Sequence, residues 1–189
     1  MAVRVLKPNT SARRNMSVAD FSGLTKKKPE KSLTVTKIRK SGRNNQGRIT
    51  TRHRGGGAKR AYRLVDFVFA SANKAEIIAL EYDPNRSANI ALVKLEDGTK
   101  AYVLATANMR VGKFLSSGDN AEIKPGNRLK LKDIPVGSTI CSIEMQPGRG
   151  GQLVRSAGAR AQLAAKEGDW AQIKLTSGEV RLIHINCMA

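Results

Sequence analysis

The sequence predicts an all-β protein. Nine or so short runs rich in β-branched and aromatic residues recur at intervals of roughly 10–15 residues after residue 60. Turn residues separate these runs, and no part of the 189-residue chain sustains the apolar period of a long helix. A turn-rich region near residues 110–125 divides the runs into two groups. Two small barrels therefore fit the pattern better than one sandwich.

Each group contains several short predicted strands. The first group comprises residues 62–69, 75–82, 88–95 and 100–106, and Asp97-Gly98 predicts a tight hairpin between the last two. The second comprises residues 128–131, 138–145, 151–157, 169–176 and 179–186, with Ser177-Gly178 joining the last two. Residues 157–168 remain open to two interpretations, one helix or an irregular segment or strand, because Gly158 interrupts a short run.

Positive charge is concentrated in the first third of the chain. Residues 1–60 contain 17 Lys and Arg but only two acids, whereas residues 61–189 contain 17 basic and 13 acidic residues. Sixty residues of nearly one sign, with few apolar anchors, need a polyanion to become compact. We therefore predict a basic extension over residues 1–60, extended or disordered until it meets nucleic-acid phosphate. Barrels are predicted over residues 61–120 and 121–189.

The composition argues against several classes of protein. No segment approaches the roughly 20 apolar residues of a membrane span, and no apolar stretch of a secretory signal follows the start. The acid-poor start is also compatible with an organellar transit peptide. Cys141 and Cys187 lack the spacing of a CxxC motif and lie among apolar neighbours. We predict buried reduced thiols, with a disulfide or a metal site as the alternatives, and expect no metal and no cofactor.

The segment from Arg39 to Arg63 combines basic residues with glycines. Glycine lets backbone amides approach phosphates closely, and guanidinium groups match phosphate geometry and stack on unpaired bases. A flexible charged linker is the alternative, but a linker has no need of nine basic residues in 25 positions. The predicted RNA contacts in this segment are Arg39, Lys40, Arg43, Asn44, Arg48, Arg52, His53, Arg54, Lys59, Arg60 and Arg63.

Catalytic patterns are not apparent in the sequence. Gly42 and Gly47 have the spacing of a phosphate-binding NTPase loop, but Arg48-Ile49 stands where Lys-Ser or Lys-Thr is required. No Ser/His/acid set or paired carboxylates stand out. His184 lies between two isoleucines of a predicted strand, so we expect a core or half-buried histidine. We therefore predict no catalytic residues and no enzyme.

Four arginines of the globular part are further candidates for RNA contact. Arg86 follows the Asp83-Pro84-Asn85 turn, and Arg149, Arg155 and Arg160 lie among small residues that would let a phosphate backbone approach. Ordinary surface charge is the alternative for each of them. Phe114 and Trp170 could stack on bases, but aromatic residues make up only 4% of the chain, so we expect both to pack in the core.

Residues 42–67, GRNNQGRITTRHRGGGAKRAYRLVDF, closely resemble the universal large-subunit ribosomal protein L2 family of bacterial type. Residues 7–25, 29–33, 78–93 and 150–163 resemble the same family in order and spacing, so the resemblance covers essentially the whole chain. It implies an OB-like barrel followed by an SH3-like barrel. It also implies binding to large-subunit ribosomal RNA near the peptidyl-transferase region, with roles in subunit association and tRNA-site organisation.

The resemblance also assigns individual residues. It makes Arg86 and Arg155 the best RNA contacts of the barrels, and it places Arg13 and Arg14 on the family's N-terminal arm, which argues against a transit peptide. Family members continue for several dozen residues beyond the second barrel with a glycine-rich, basic tail, whereas this sequence stops at Ala189. The resemblance therefore implies a split gene with the tail on another chain, or a shortened form or fragment.

The expected partners are large-subunit ribosomal RNA, other ribosomal proteins and such a tail-bearing chain, without a membrane partner or free homo-oligomer. The expected location is the ribosome of a bacterial cytoplasm or of an organelle matrix, in a mitochondrion or plastid. Two rival functions stay open at this point. One is a tandem-barrel RNA chaperone or translation factor that binds the ribosome transiently. The other is an RNA-modifying enzyme with a basic arm.

Overall fold

Strands dominate the computed structural model of the chain, which describes residues 3–25, 28–37, 40–55, 57–69, 74–119 and 121–189. The strands are β1 (Val3–Val5), β2 (Ser17–Ala19), β3 (Thr34–Thr36), β4 (Ala61–Arg63), β5 (Ala75–Glu81), β6 (Ile90–Leu95), β7 (Lys100–Leu104), β8 (Phe114–Leu115), β9 (Thr139–Ile140), β10 (Ala161–Glu167), β11 (Trp170–Leu175) and β12 (Val180–His184). Two short 3-10 turns occupy Ser11–Arg13 and Lys31–Leu33. The all-β prediction is confirmed.

The first four-stranded sheet has the order β7-β6-β5-β8, and its neighbouring strands are antiparallel. Burial alternates along β5, so that Ala75, Ile77 and Ala79 face inward while Glu76 and Ile78 are exposed. A bulge between Ile77 and Ala79 bends this strand, which pairs with β6 along most of its length and with β8 at its start. The bend lets the sheet curl around its own apolar residues.

Strand β6 is buried on both faces from Ile90 to Val93. Ala91 and Val93 belong to an inner core with Phe69, Ala75, Ile77, Val103 and Leu115. Ile90 and Leu92 pack on the other side with Ala79 and Tyr102, and Leu33 and Val65 cover that side. A strand with two covered faces needs a continuous apolar run, which the sequence IALV supplies.

The second four-stranded sheet repeats the plan of the first. Its order is β12-β11-β10-β9, and β10 carries a bulge between Leu163 and Ala165 while pairing at its start with the short β9. Its core comprises Leu129, Leu131, Ile134, Ile140, Ile143, Ala161, Leu163, Ala171, Ile173, Ile183 and Cys187. Cys187 is therefore a buried free thiol as predicted, and Cys141 is a half-buried one.

Glu144 is a fully buried carboxylate that organises the second core. It accepts hydrogen bonds from the Arg128 guanidinium at 3.0 Å and from the backbone amides of Gly148, Gly150 and Met188 at 2.9–3.2 Å. Four donors, one of them charged, offset the cost of removing this carboxylate from water. The Glu144 carboxylate therefore joins Arg128, the loop before β10 and the end of the chain.

Residues of the basic extension attach to the first barrel. Thr25 exchanges two bonds with Leu80, its N–H donating to the carbonyl at 3.1 Å and its hydroxyl accepting from the amide at 2.9 Å. The buried Tyr102 hydroxyl accepts from the Glu30 amide at 2.8 Å and donates to the Glu81 carboxylate at 2.7 Å. Burial, followed by the Glu81 carboxylate, raises the pKa of Tyr102 well above its usual range.

Five of the nine predicted strands match the structure. The strands predicted at 75–82, 88–95, 100–106, 169–176 and 179–186 are confirmed with slightly shorter bounds, as is the tight turn at Asp97-Gly98, where the Leu95 amide donates to the Thr99 carbonyl at 2.9 Å. The ambiguous stretch 157–168 contains strand β10 rather than a helix. Within the described residues, no helix is long and apolar enough to span a membrane.

Four other predicted strands were too long. Residues 62–69 contribute only the end of β4, residues 138–145 contain only the two-residue β9, and 128–131 and 151–157 are reduced to isolated bridges. Ser142 and Val154 adopt positive φ angles of 52° and 57°, and Phe69 one of 36°, conformations that interrupt a strand. The hydrophobic pattern there comes from core-facing loops instead of regular strands.

Candidate RNA-binding surface

The loop of residues 40–55 is built around the carbonyl of Gly42. That oxygen accepts the amides of Thr50 and Thr51 at 2.9 and 3.1 Å, which closes the loop on itself. Gly42 has a φ of +71°, and a Cβ atom there would lie 2.1 Å from the Thr51 carbonyl oxygen. Only glycine permits this approach, so the sequence fixes the loop geometry at this position.

The Asn44 side chain holds the second turn of the loop. Its Oδ1 accepts hydrogen bonds from the backbone amides of Gln46 and Arg48, both at 3.0 Å, and the Asn44 backbone amide donates to the Arg48 carbonyl at 3.0 Å. Its oxygen is therefore used within the loop, which leaves Nδ2 as the group of Asn44 suited to a ligand. His53 is exposed and has a φ of +59°, which is uncommon for a residue other than glycine.

The cationic side chains of this loop face solvent, and two of them, Lys40 and Arg54, line a concave cleft. The cleft has a volume of about 520 Å³ and is lined by Lys37, Lys40, Ser41, Gly42, Thr51, His53, Arg54 and Gly55. Lys40, Arg43, Arg48, Arg52 and Arg54 are all exposed. Such a surface can bind phosphate groups, because its cations have few protein partners to give up. Arg39, also predicted as a contact, lies outside the described residues.

The remaining predicted contacts of the extension differ in their environments. Arg13 and Arg14 are exposed at the 3-10 turn near the start, and Lys59 is exposed too. Arg60, which follows the loop, donates to the Pro84 carbonyl at 2.9 Å and so contacts the turn between β5 and β6 of the first barrel. Arg63 is only 7% exposed and donates to the Ala61 carbonyl at 2.9 Å. Its guanidinium belongs to the barrel interior near Tyr102, so we leave Arg63 out of the candidate surface.

Two arginines from different barrels meet on one aromatic ring. The guanidinium carbons of Arg86 and Arg155 lie 5.5 and 4.5 Å from the centre of the Phe67 ring. We call Phe67, Arg86 and Arg155 the Phe67 cluster. Cation–π attraction holds both charges at the ring, although the two guanidinium groups repel each other. A phosphate group bound between them would relieve that repulsion.

Backbone contacts reinforce the junction around the cluster. The Gly151 amide donates to the Phe67 carbonyl at 2.8 Å, and the Ala157 amide donates to the Ser87 hydroxyl at 3.1 Å. Gly150 has a φ of +81°, and a Cβ there would lie 3.1 Å from Phe67 backbone atoms. The sequence resemblance pointed to Arg86 and Arg155, and the structure brings them together.

The two arginines of the cluster are held to different degrees. Arg86 Nε lies 2.6 Å from Oδ2 of the fully buried Asp83, and its side chain is 16% exposed. Arg155 is exposed and is bound more loosely, with one 3.4 Å bond to the Gly151 carbonyl. Arg149 and Arg160 are exposed as well, and Arg149 donates to the Gln146 side chain at 3.0 Å.

The expectation that Phe114 and Trp170 pack in the core was wrong. Their exposed fractions are 57% and 51%, and the Lys74 ammonium lies 4.6 Å from the Phe114 ring centre. Sequence reasoning also missed Phe67 and Asp83. The Asp83-Pro84-Asn85 turn contained a usable signal for Asp83, since its Oδ1 accepts the Asn85 amide at 2.8 Å as turn-forming Asp residues do. No sequence pattern marks Phe67.

The described residues provide neither a metal site nor an activated thiol. Within the described part of the chain, no group of three or more His, Cys, Asp or Glu residues could hold a metal ion. Burial raises the pKa of the Cys141 thiol, and it raises that of Cys187 to about 11, so neither thiol is activated as a nucleophile.

Two family models match the chain. The RNA binding N-terminal domain of Ribosomal Proteins L2 matches residues 30–117. The C-terminal domain of Ribosomal Proteins L2 matches residues 124–189. The loop of residues 40–55, Phe67 and Arg86 fall within the first match, and Arg155 falls within the second.

Proposed function

Because the chain belongs to the ribosomal protein L2 family, we propose that the loop of residues 40–55 and the Phe67 cluster form its main binding surface for large-subunit ribosomal RNA. The chain is a ribosomal protein of the large subunit with an RNA-binding domain. Its two matched domains are an OB barrel and an SH3-like barrel. The family is structural and not enzymatic, and we infer the same for this chain.

The observation that carries the proposal is the exposure of cations on a loop whose backbone is already closed. Five Lys and Arg side chains of this loop face solvent, while the Gly42 carbonyl and the Asn44 side chain fix the backbone that bears them. Preorganised charges lose less entropy when phosphate binds. The proposed contacts are Arg13, Arg14, Arg39, Lys40, Arg43, Asn44, Arg48, Arg52, His53, Arg54, Lys59, Arg60, Arg86, Arg149, Arg155 and Arg160.

The salt dependence of RNA binding tests the proposal. Each phosphate neutralised lowers log K by roughly 0.7–0.9 per decade of salt. If about ten phosphates are engaged, a fourfold rise in salt costs about four to five powers of ten in affinity. The measurement is a filter-binding titration of the full chain with large-subunit ribosomal RNA at several salt concentrations. A slope near zero would remove phosphate as the principal partner.

We infer that this surface serves the ribosome by fixing RNA structure. By clamping ribosomal RNA the chain supports subunit association, tRNA binding and organisation of the peptidyl-transferase region. We also propose that the protein works in a bacterial cytoplasm or an organelle matrix, without membrane partners or homo-oligomers. Neither family match supports the alternative of a transient RNA chaperone or translation factor.

Co-sedimentation tests the assignment as an integral component. The full chain should stay with large subunits through a high-salt wash, because many contacts and a folded junction have to be released together. A factor that exchanges on and off would leave in the same wash. Release of the whole population would therefore contradict the proposal.

A further inference from the structure

Strand β12 has an apolar outer face at the edge of the second sheet. Val180 and Leu182 are 53% and 63% exposed, and the half-exposed Trp170 ring lies 5.8 Å from the His184 ring. The register pairs Trp170 with His184 and Gln172 with Leu182, which places these side chains on one face of the β-hairpin. We call Trp170, Val180, Leu182 and His184 the β12 surface.

The backbone of β12 is also open on its outer side. The Ile185 amide donates to the Asp169 carbonyl at 3.0 Å, and the Leu175 amide donates to the Glu179 carbonyl at 2.9 Å. Because hydrogen-bonded pairs alternate in antiparallel sheets, the amides and carbonyls of Val180 and Leu182 point away from β11. The sheet order ends at β12, and no strand of the described chain pairs with its outer side.

The charge around this edge does not suit RNA. Residues 161–189 contain three basic and three acidic residues, whereas residues 1–60 have a net charge of +15. The register places one exposed cation, Lys174, opposite Val180 on this face, and Arg181 is paired with Glu179 at 2.7 Å. A phosphate backbone would therefore meet a single free cation here, whereas an apolar segment would cover the exposed Val180 and Leu182 side chains.

We propose that β12 accepts an extended segment of another protein of the large subunit as an additional strand. Main-chain bonds to Val180 and Leu182 would supply affinity, and apolar side chains of the partner would cover Trp170 and Leu182. An open strand edge with exposed apolar residues is a hazard for a free protein, and a permanent partner removes it. The partner segment has alternating apolar side chains and little net charge.

Photocrosslinking in reconstituted large subunits tests this surface. A benzophenone amino acid replaces Leu182 in one chain and Val136 in a control, since Val136 is 55% exposed but lies in the turn before β9, at the opposite edge of the sheet. We expect a protease-sensitive, RNase-resistant adduct from position 182 with a second polypeptide, and not from position 136. An adduct with ribosomal RNA, an adduct with a second copy of this chain, equal yields from both positions, or no adduct would overturn the proposal.

A second pair of variants distinguishes a lost contact at the β12 surface from a disrupted fold. With benzophenone at Trp170, Leu182→Lys should lower the yield of the protein adduct about tenfold, because a charge is then buried at the contact, while Leu182→Met should leave it unchanged. Equal yields from the two variants would count against the proposal. The test rests on the proposed function, because the chain must enter the subunit. A chain that fails to co-sediment overturns both, whereas co-sedimentation without a protein adduct overturns only the β12 surface.

Discussion

Arg155 of the second barrel lies with its guanidinium carbon 4.5 Å from the ring centre of Phe67, which precedes the first sheet. Arg86 approaches the same ring at 5.5 Å, so one aromatic residue positions a cation from each domain. The junction between the domains is therefore part of the proposed RNA surface. RNA bound there would contact both barrels at once.

Replacing Phe67 with leucine should weaken RNA binding without unfolding the chain. Each cation–π contact contributes about 0.5–1 kcal/mol at such sites, so loss of both contacts should raise the Kd for ribosomal RNA about fivefold to thirtyfold. The matched control is Phe114→Leu, which removes the cation–π contact with Lys74 outside the cluster and should leave the Kd unchanged. Unchanged affinity in Phe67→Leu would mean that the arginines keep their positions without the ring.

Alanine substitutions of the two arginines of the cluster should weaken RNA binding alike but differ in their effect on stability. Arg86→Ala and Arg155→Ala should each cost about 1–3 kcal/mol of RNA-binding free energy. Arg86→Ala should also lower the free energy of unfolding by about 3 kcal/mol, because it leaves the buried Asp83 carboxylate without its cation. Arg155→Ala should change stability by less than about 1 kcal/mol. Urea unfolding and filter binding measure the two quantities, and equal destabilisation by both variants would argue against this division.

Gly42→Ala tests whether the geometry of the basic loop matters. A Cβ atom at Gly42 would overlap the Thr51 carbonyl, so the loop must open, and RNA affinity should fall at least about tenfold. Gly47→Ala is the matched control, since Gly47 also has a positive φ but nothing lies within 4 Å of the added atom. It should cost only about 1 kcal/mol of backbone strain. Binding curves that coincide for the two variants would show that charge alone decides affinity.

Glu144→Gln should strongly destabilise the second barrel. The substitution removes the charge that faces Arg128, leaving a buried cation without its partner, and the expected loss is about 3–5 kcal/mol of unfolding free energy. Glu122→Gln, at a fully exposed ion pair with Lys124, should have no measurable effect. Thermal unfolding of both variants decides the comparison, and a stable Glu144→Gln protein would refute the role given to this carboxylate.

Tyr102 should make the stability of the protein depend on alkaline pH. Its pKa is raised in the folded state, so unfolded tyrosine loses its proton first, near pH 10. The Tyr102 contribution is therefore complete below pH 10 and declines as the pH rises above that value. Tyr102→Phe should be about 1–3 kcal/mol less stable at pH 8, and the difference should shrink by pH 11. Urea unfolding at both pH values would contradict this if the difference stayed constant.

The central strands of both barrels could be predicted because each is specified by its own residue pattern and by the turns that flank it. Strands β5 and β11 alternate buried with exposed positions over most of their length, and β6 is an apolar run between turn signals. The region around β9 could not be predicted in the same way. Positive φ angles at Ser142 and Val154 redirect a similarly apolar stretch into loops, and the nearby buried Glu144 is bound by donors distant in sequence, Arg128 and Met188.

The candidate site was predictable only in part. Glycine and arginine content identified the loop of residues 40–55, since both residue types act through their own chemistry. The burial of Arg63 and the exposure of Trp170 depend on which segments pack against them, which a single sequence does not state. The meeting of Arg86 and Arg155 on Phe67 depends on the junction of two domains, and it required the structure.

Leu33 and Val65 close the outer side of β6, and β3 pairs with β4 beside them. Truncation from the start of the chain therefore preserves the cover of β6 only while Leu33 and β3 are kept. A protein beginning after residue 60 would lose Leu33 and β3 and would keep only Val65 as a cover on this side. Its failure to bind RNA would not separate lost charge from a damaged barrel. Deletions from the start of the basic extension should end before Thr25. The basic residues after Thr25 should be tested by charge-reversing substitutions instead of truncation.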